Sequence, residues 1–165
     1  MVAIEAGREH WSACDRCAAH SLLDSSSTAK TSMSAEVFFD TSILIYTLVR
    51  GDQRTAVAEE LLIGGGKISV QVLNELVAVA QRKLGMSWKE IALALSAIRK
   101  FCEPPAPLTI EVHEEALRIA QRYQYHIYDS LVLAAAMKAD CRILYSEDMQ
   151  DGQSIGKLRI RNPFR

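Results

Sequence analysis

Val37-Phe38-Phe39-Asp40-Thr41-Ser42 is the stretch that decides the fold. Three consecutive apolar residues predict a short buried strand, and Asp40 stands where that strand ends. Thr41 and Ser42, together with Asp40, are residue types that cap helices, and apolar residues follow from Ile43. The stretch therefore predicts a strand that leads directly into a helix, with an acidic side chain at the junction.

Strands and helices continue to alternate after this point. Strands are predicted at 68–70, 108–110 and 142–145, with a closing edge strand at 158–160. Helices are predicted at 56–63, 71–84, 87–101, 112–123 and 130–138. Ser87-Trp88-Lys89-Glu90 has the spacing of a capping box at the start of the third of these helices. This alternation predicts an α/β fold, a parallel sheet covered by helices on both faces in three layers, α/β/α.

Four acidic residues stand at ends of the predicted elements: Asp40, Glu75, Asp129 and Asp148. Ligands in open α/β sheets bind beyond the carboxyl ends of the strands, so we expect these carboxylates at one edge of the sheet. Packed carboxylates repel one another unless a cation lies between them. Hard oxygen donors suit Mg²⁺ or Mn²⁺, and such a metal points to phosphodiester hydrolysis by activated water.

Each acid also has a purely structural interpretation. Asp40 and Asp129 are typical helix N-caps, Glu75 alone is typical of a solvated helix face, and Asp148 alone is typical of a turn. The functional interpretation depends on all four acids being brought together. Tyr46 and Trp88 are candidates for stacking on nucleobases, although packing in the core or in a dimer explains them equally well.

Composition sets few limits on function. A chain of 165 residues is the length of one domain, and its net charge of −1 gives no general attraction to nucleic acid. The four cysteines do not form a disulfide scaffold, and no apolar run is long enough to span a membrane. We therefore predict a cytoplasmic protein without a membrane partner.

Residues 1–34 differ from the rest of the sequence. A polar, low-complexity run at 25–32 predicts disorder, and Met33 then precedes the ordered pattern, so a mis-assigned start is an alternative explanation. His10, Cys14, Cys17 and His20 have the side chains of a zinc site, but their close spacing is unfavourable for one. The predicted organisation is an N-terminal extension, 1–34, followed by a nuclease domain, 35–165.

Four motifs in this order resemble the PIN-domain family. They are the stretch from Val37 to Ser42, Asn74-Glu75-Leu76, Tyr128-Asp129-Ser130-Leu131 and the run from Tyr145 to Gly152, with Asn162-Pro163-Phe164 closing the chain. Within the family, the sequence is most similar to the toxins of VapBC-type toxin–antitoxin pairs. The extension at 1–34 has no counterpart in the pattern.

The resemblance implies a metal-dependent endoribonuclease. It implies that Asp40, Asp129 and Asp148 hold Mg²⁺ or Mn²⁺, that Glu75 completes the catalytic site, and that Ser42 and Ser146 help to position the ligands. Asp151 is a further candidate acid, less favoured than Asp148 because it lies farther from the strand end. The implied partners are RNA, a cognate antitoxin protein and a second copy of the chain in a homodimer.

Two other functions remain open at this point. A phosphatase or phosphotransferase would use Asp40 as its nucleophile, although Thr41-Ser42-Ile43 does not continue the motif of haloacid-dehalogenase-like enzymes. A non-enzymatic binding module would use the acids to pair with basic residues of a partner.

Overall fold

The computed structural model describes residues 36–165. The predictions for the extension at 1–34, the alternative start at Met33 and the zinc-type quartet lie outside the described residues. The elements in chain order are β1 (Val37–Phe39), α1 (Thr41–Tyr46), α2 (Thr55–Ile63), α3 (Val70–Arg82), α4 (Trp88–Phe101), α5 (Ile110–Tyr123), α6 (Ile127–Lys138), β2 (Ile143–Tyr145), β3 (Ser154–Ile155) and β4 (Leu158–Arg161). None of these helices has the length and apolar character that crossing a membrane requires.

The four strands form one mixed sheet in the order β1-β2-β4-β3. The β1–β2 and β2–β4 pairs are parallel, and the short β3 pairs with β4 in the antiparallel direction. The α/β prediction is confirmed, but the prediction that 158–160 forms an edge strand is wrong. Because β3 was too short to show a period-2 pattern, it escaped prediction, and it covers the outer side of β4.

The strand predicted at 68–70 is also wrong as an element. Residues 66–69 make only isolated parallel bridges: Lys67 pairs with Phe38 on one side, and Gly66 and Ser69 pair with Cys102 and Ala106 on the other. The helix α3 already begins at Val70, because the Ser69 side chain accepts the amide hydrogen of Val72 and caps it. Backbone hydrogen bonds from Phe39 N–H to Lys67 O and from Ala106 N–H to Ile68 O nevertheless extend the sheet beyond β1.

Side-chain caps fix the starts of three helices. The predicted capping box is confirmed, since Ser87 and Glu90 exchange both of its hydrogen bonds at the start of α4. The strand predicted at 108–110 is wrong, because Thr109 accepts the amide hydrogen of Val112 and caps α5. Of its apolar residues, Leu108 precedes α5 and Ile110 is the first residue of that helix.

The core lies between the sheet and the helices. Phe38, Phe39 and Leu144 of the strands are buried, and so is every residue of α6 from Ser130 to Ala136. Tyr46 is buried too, at 3% exposure, whereas Trp88 is 65% exposed. Tyr46 is therefore unavailable for stacking on a nucleobase, and Trp88 does not belong to the core.

Candidate active site

Two parallel strands deliver the first acids to one edge of the sheet. Phe39 and Tyr145 are paired at the carboxyl ends of β1 and β2. The backbone N–H of Asp40 then donates to the carbonyl oxygen of Tyr145 at 3.0 Å. Because this bond lies just past the pairing of the two strands, Asp40 and the loop that begins at Ser146 are neighbours.

Asp40 is held from both strands by hydroxyl groups. Its carboxylate is 5% exposed, and its Oδ2 accepts hydrogen bonds from Ser42 Oγ at 2.8 Å and Ser146 Oγ at 2.7 Å. Asp40 occupies the N-cap position of α1, yet its side chain makes no capping hydrogen bond. The interpretation of Asp40 as a simple helix cap is therefore wrong, and both serines predicted as supporting residues contact it.

Glu75 reaches the same place from α3. Its Oε2 accepts a hydrogen bond from Thr41 Oγ1 at 3.0 Å, and its Oε1 accepts one from Gln71 Nε2 at 2.7 Å. Sequence reasoning missed both partners. Gln71 precedes Glu75 by four residues on one helix, a spacing that places two side chains on the same face and gave a usable signal. Thr41 carried no such signal, because only the packing of α1 on α3 brings it to Glu75.

Asp129 lies inside the first turn of α6. The helix begins at Ile127 after the N-cap His126, so the predicted start at Ser130 is wrong and Asp129 does not occupy the cap position. The local sequence His126-Ile127-Tyr128 offers no strong cap, which is why the start was misplaced. A carboxylate in this turn is favourable, since the N-terminal end of a helix carries partial positive charge.

The acidic side chains of the loop after β2 have different surroundings. Asp148 lines the cleft, and its backbone N–H donates to Ser146 Oγ at 3.3 Å. Glu147 instead accepts hydrogen bonds from Tyr46 and Arg54. Asp151 accepts the backbone N–H of Asn162 at 2.9 Å and is not among the residues that line the cleft. The preference for Asp148 over Asp151 thus has a structural basis.

All four predicted acids line one open cleft of about 930 Å³. Four separate segments supply them: the end of β1, α3, the first turn of α6 and the loop after β2. The cleft is also lined by uncharged and basic side chains, among them Asn74, Arg82, Lys83, Tyr125, His126 and Tyr128. Tyr128 is 62% exposed, so an aromatic ring stands open to solvent beside Asp129.

Three aspartates of the cleft have raised pKa values. Burial raises the pKa of Asp40, against the opposing effect of the two serine hydroxyls. Burial and then the charges of Asp40 and Glu75 raise the pKa of Asp129 to about 6. Asp148 is exposed at the rim, and loss of hydration followed by the charge of Asp40 raises its pKa as well. Carboxyl groups that resist ionisation at one place are a common mark of a functional site.

The donor chemistry fits a hard divalent cation. As placed in residues 36–165, the His, Cys, Asp and Glu side chains form no group of three or more that could hold a metal ion. Mg²⁺ needs no such cage, because it usually binds through one or two carboxylates, several waters and the oxygens of a substrate phosphate. Asp40, Asp129 and Asp148 offer such oxygens, and a cation would offset the loss of hydration and the repulsion that raise their pKa values.

An α/β sheet with acids gathered beyond its strand ends defines a class of protein, and comparison with known proteins identifies it. Residues 37–150 match the PIN domain family model. The match spans well over half of the chain, which therefore belongs to the PIN-domain family.

A solved structure shares this fold. VapC20 of Mycobacterium tuberculosis, described as a toxin that cleaves the sarcin-ricin loop, superposes with a TM-score of 0.56 at 23% sequence identity. The match covers 68% of this chain and 91% of the VapC20 chain. At this level of identity the likeness is one of fold. No curated protein matches the chain.

Proposed function

We propose that this protein is a metal-dependent endoribonuclease of the VapC type. The observation that carries the proposal is the gathering of Asp40, Glu75, Asp129 and Asp148 in one cleft, where burial and mutual repulsion raise the pKa of three of them. Mg²⁺ is the proposed cofactor, with Mn²⁺ as a substitute, because both prefer oxygen donors.

The roles of the acids follow from how each is held. Asp40, Asp129 and Asp148 would bind the cation, which supplies charge neutralisation at the phosphate and activation of water when bound. Ser42 and Ser146 both donate to Oδ2 of Asp40, which leaves Oδ1 to face other partners. Glu75 is held by Thr41 and Gln71 and would orient the attacking water.

The wall of the cleft supports an RNA substrate in spite of the net charge of −1. Arg82 and Lys83 line it at the end of α3, and basic side chains there attract a phosphate backbone locally. The exposed ring of Tyr128 is available to stack on a base, a common mode of binding unpaired RNA.

The toxin role rests on the fold shared with VapC20 and on the motifs of the sequence. The corresponding partners are an antitoxin protein that silences the nuclease and a second copy of the chain, in the cytoplasm. Light scattering tests the homodimer directly. Induced expression should arrest bacterial growth, and Asp129→Asn should abolish that arrest.

The decisive experiment is incubation of the purified protein with total RNA, with and without Mg²⁺, followed by mapping of the cut ends. We expect discrete cuts that require Mg²⁺ and disappear in Asp129→Asn. Asp140→Asn is the matched control, because Asp140 is exposed beyond the opposite end of α6 and its positive φ of 54° suits Asn. Cutting by Asp129→Asn at the wild-type rate would refute the proposal.

Neither alternative function gains support from the site. A phosphatase would need Asp40 as a free nucleophile, whereas this carboxylate is 5% exposed and accepts two serine hydroxyls. Formation of a beryllium fluoride adduct at Asp40 would favour that alternative. A binding module would require no cation, so the absence of Mg²⁺ or Mn²⁺ binding on titration would favour it.

A further inference from the structure

A second cluster of side chains surrounds Glu147, which precedes Asp148 in the loop after β2. Glu147 accepts the hydroxyl of Tyr46 on Oε2 and Nη1 of Arg54 on Oε1, the latter at 2.6 Å. Arg54 also donates Nε and Nη2 to the two carboxylate oxygens of Asp52, at 2.9 and 2.8 Å. Both oxygens of Glu147 are therefore engaged, and neither Glu147 nor Arg54 lines the cleft.

Aromatic packing holds the same cluster in place. The guanidinium of Arg54 lies 4.2 Å from the centre of the Tyr46 ring, and Phe164 meets that ring edge-on at 5.1 Å between centres. Stacking on an aromatic face and two-pronged pairing with a carboxylate are interactions that Arg makes and Lys does not reproduce. The position of Arg54 is thus fixed by Asp52 and Tyr46 as well as by Glu147.

The loop is fixed from the cleft side as well. The backbone N–H of Glu147 donates to Ser42 Oγ at 3.1 Å, and Ser42 in turn donates to Asp40. Ser146 Oγ accepts the backbone N–H groups of Asp148 and Met149, each at 3.3 Å. Glu147 is consequently anchored through its backbone to the Asp40 network and through its side chain to Arg54 and Tyr46.

We propose that Tyr46, Arg54 and Glu147 form a clamp that positions Asp148 for cation binding. The three are positioning residues that act through the loop. Arg54 and Glu147 do not line the cleft, and Tyr46, which does line it, donates its hydroxyl to Glu147. The inference rests on the proposed metal-dependent function. Groups that orient metal ligands typically change metal affinity by about 10–100-fold when they are removed. A clamp that only stabilised the fold would leave the affinity of the folded protein unchanged.

The test is the dissociation constant for Mn²⁺ alone, measured on the full chain by the electron paramagnetic resonance signal of the free ion. Arg54→Gln should weaken Mn²⁺ binding about tenfold. Arg118→Gln is the matched control, because it removes an arginine paired with Glu115 at the same 2.6 Å on an exposed helix face. It should leave the affinity unchanged. Arg54→Lys should restore part of the loss, since it keeps the charge opposite Glu147.

Two further variants separate positioning from general stability. Tyr46→Phe removes one oxygen atom and keeps the ring packing on Phe164, and it should also weaken Mn²⁺ binding. Ile91→Val lowers stability in the separate cluster of Ala80, Met86 and Ala94 and should bind Mn²⁺ normally.

The outcomes are distinct. Wild-type affinity in both Arg54→Gln and Tyr46→Phe would overturn the clamp and leave the nuclease proposal standing. Equal weakening in Ile91→Val would also overturn the clamp, because the loss would then follow stability. A wild-type protein that binds no Mn²⁺ would overturn the proposed function itself and the role of the clamp with it.

Discussion

Raising the pH should destabilise the metal-free protein, and Asp129 is one of the carboxyl groups that cause this. Its pKa rises from 3.8 to about 6 on folding. The folded state thus holds a proton that the unfolded state releases more readily. The contribution of Asp129 to stability is fully present below pH 3.8 and is lost as the pH rises through about 6. Burial and the repulsion from Asp40 and Glu75 are the physical reasons.

The size of the effect follows from the displacement of the pKa. A rise from 3.8 to about 6 sets an upper limit of roughly 3 kcal/mol, at 1.36 kcal/mol for each pKa unit. Asp129 is only partly buried, so screening by water reduces this to about 1–2 kcal/mol. Because pH 5.0 already lies above 3.8, about half of this loss falls between pH 5.0 and 7.5, which lowers the melting temperature by about 1–4 °C in a domain of this size.

The assay is thermal unfolding at pH 5.0 and 7.5 in EDTA, followed by circular dichroism. The quantity of interest is the difference between wild type and Asp129→Asn, because groups that both proteins share cancel. Asp129→Asn should lose the part of the pH dependence that Asp129 contributes and keep the part due to Asp40 and Asp148, whose pKa values are also raised. Asp140→Asn should keep all of it. Adding Mn²⁺ should stabilise the wild type more at pH 7.5 than at pH 5.0, since the cation competes with protons for the carboxylates. The same pH dependence in wild type and Asp129→Asn would refute the reasoning.

Three further predictions concern single side chains. Gly66→Ala should lower the free energy of unfolding in urea by about 1–3 kcal/mol, because a Cβ there would lie 2.5 Å from the ring of Phe39, which is 1% exposed. Gly64→Ala, at an ordinary helical φ of −61°, should leave that free energy nearly unchanged. Equal losses in the two variants would contradict the clash. Ser130→Ala should be neutral or stabilise by about 1 kcal/mol in the same assay, because the buried Ser130 hydroxyl has no hydrogen-bond partner within residues 36–165. A clear loss of stability would reveal a partner. Tyr128→Leu should weaken binding of an unpaired oligoribonucleotide in EDTA by about 1 kcal/mol or more, roughly the stacking energy of one base, while Tyr128→Phe should not. Equal affinities of the wild type and Tyr128→Leu in fluorescence anisotropy would exclude stacking.

The sequence predicted secondary structure correctly where the interacting residues are close together in the chain. The capping box of Ser87 and Glu90 was predicted and is present, because its two partners are three residues apart. The strand before Asp40 was predicted with the same bounds that the structure shows. The segment at 68–70 was misjudged, because its apolar residues satisfy a strand pattern equally well when a serine cap converts them into the start of a helix.

In the candidate site, too, the sequence predicted some features and missed those that depend on distant partners. The four acids were identified from their places at element ends, and both predicted serines contact Asp40. The bond from Thr41 to Glu75 and the clamp around Glu147 were not foreseeable, since their partners are 34, 93 and 101 residues apart in sequence.

The sequence by itself determined which residue types stand at the ends of strands and helices, and with them the family and the oxygen-donor chemistry. Only the tertiary structure decided which acid faces the cleft and which turns away. Glu147 and Asp148 are neighbours in the chain, and they are distinguished by the positions of Tyr46 and Arg54. Those positions depend on packing between distant segments, because a side chain's direction is set by the groups it meets and not by its place in the sequence.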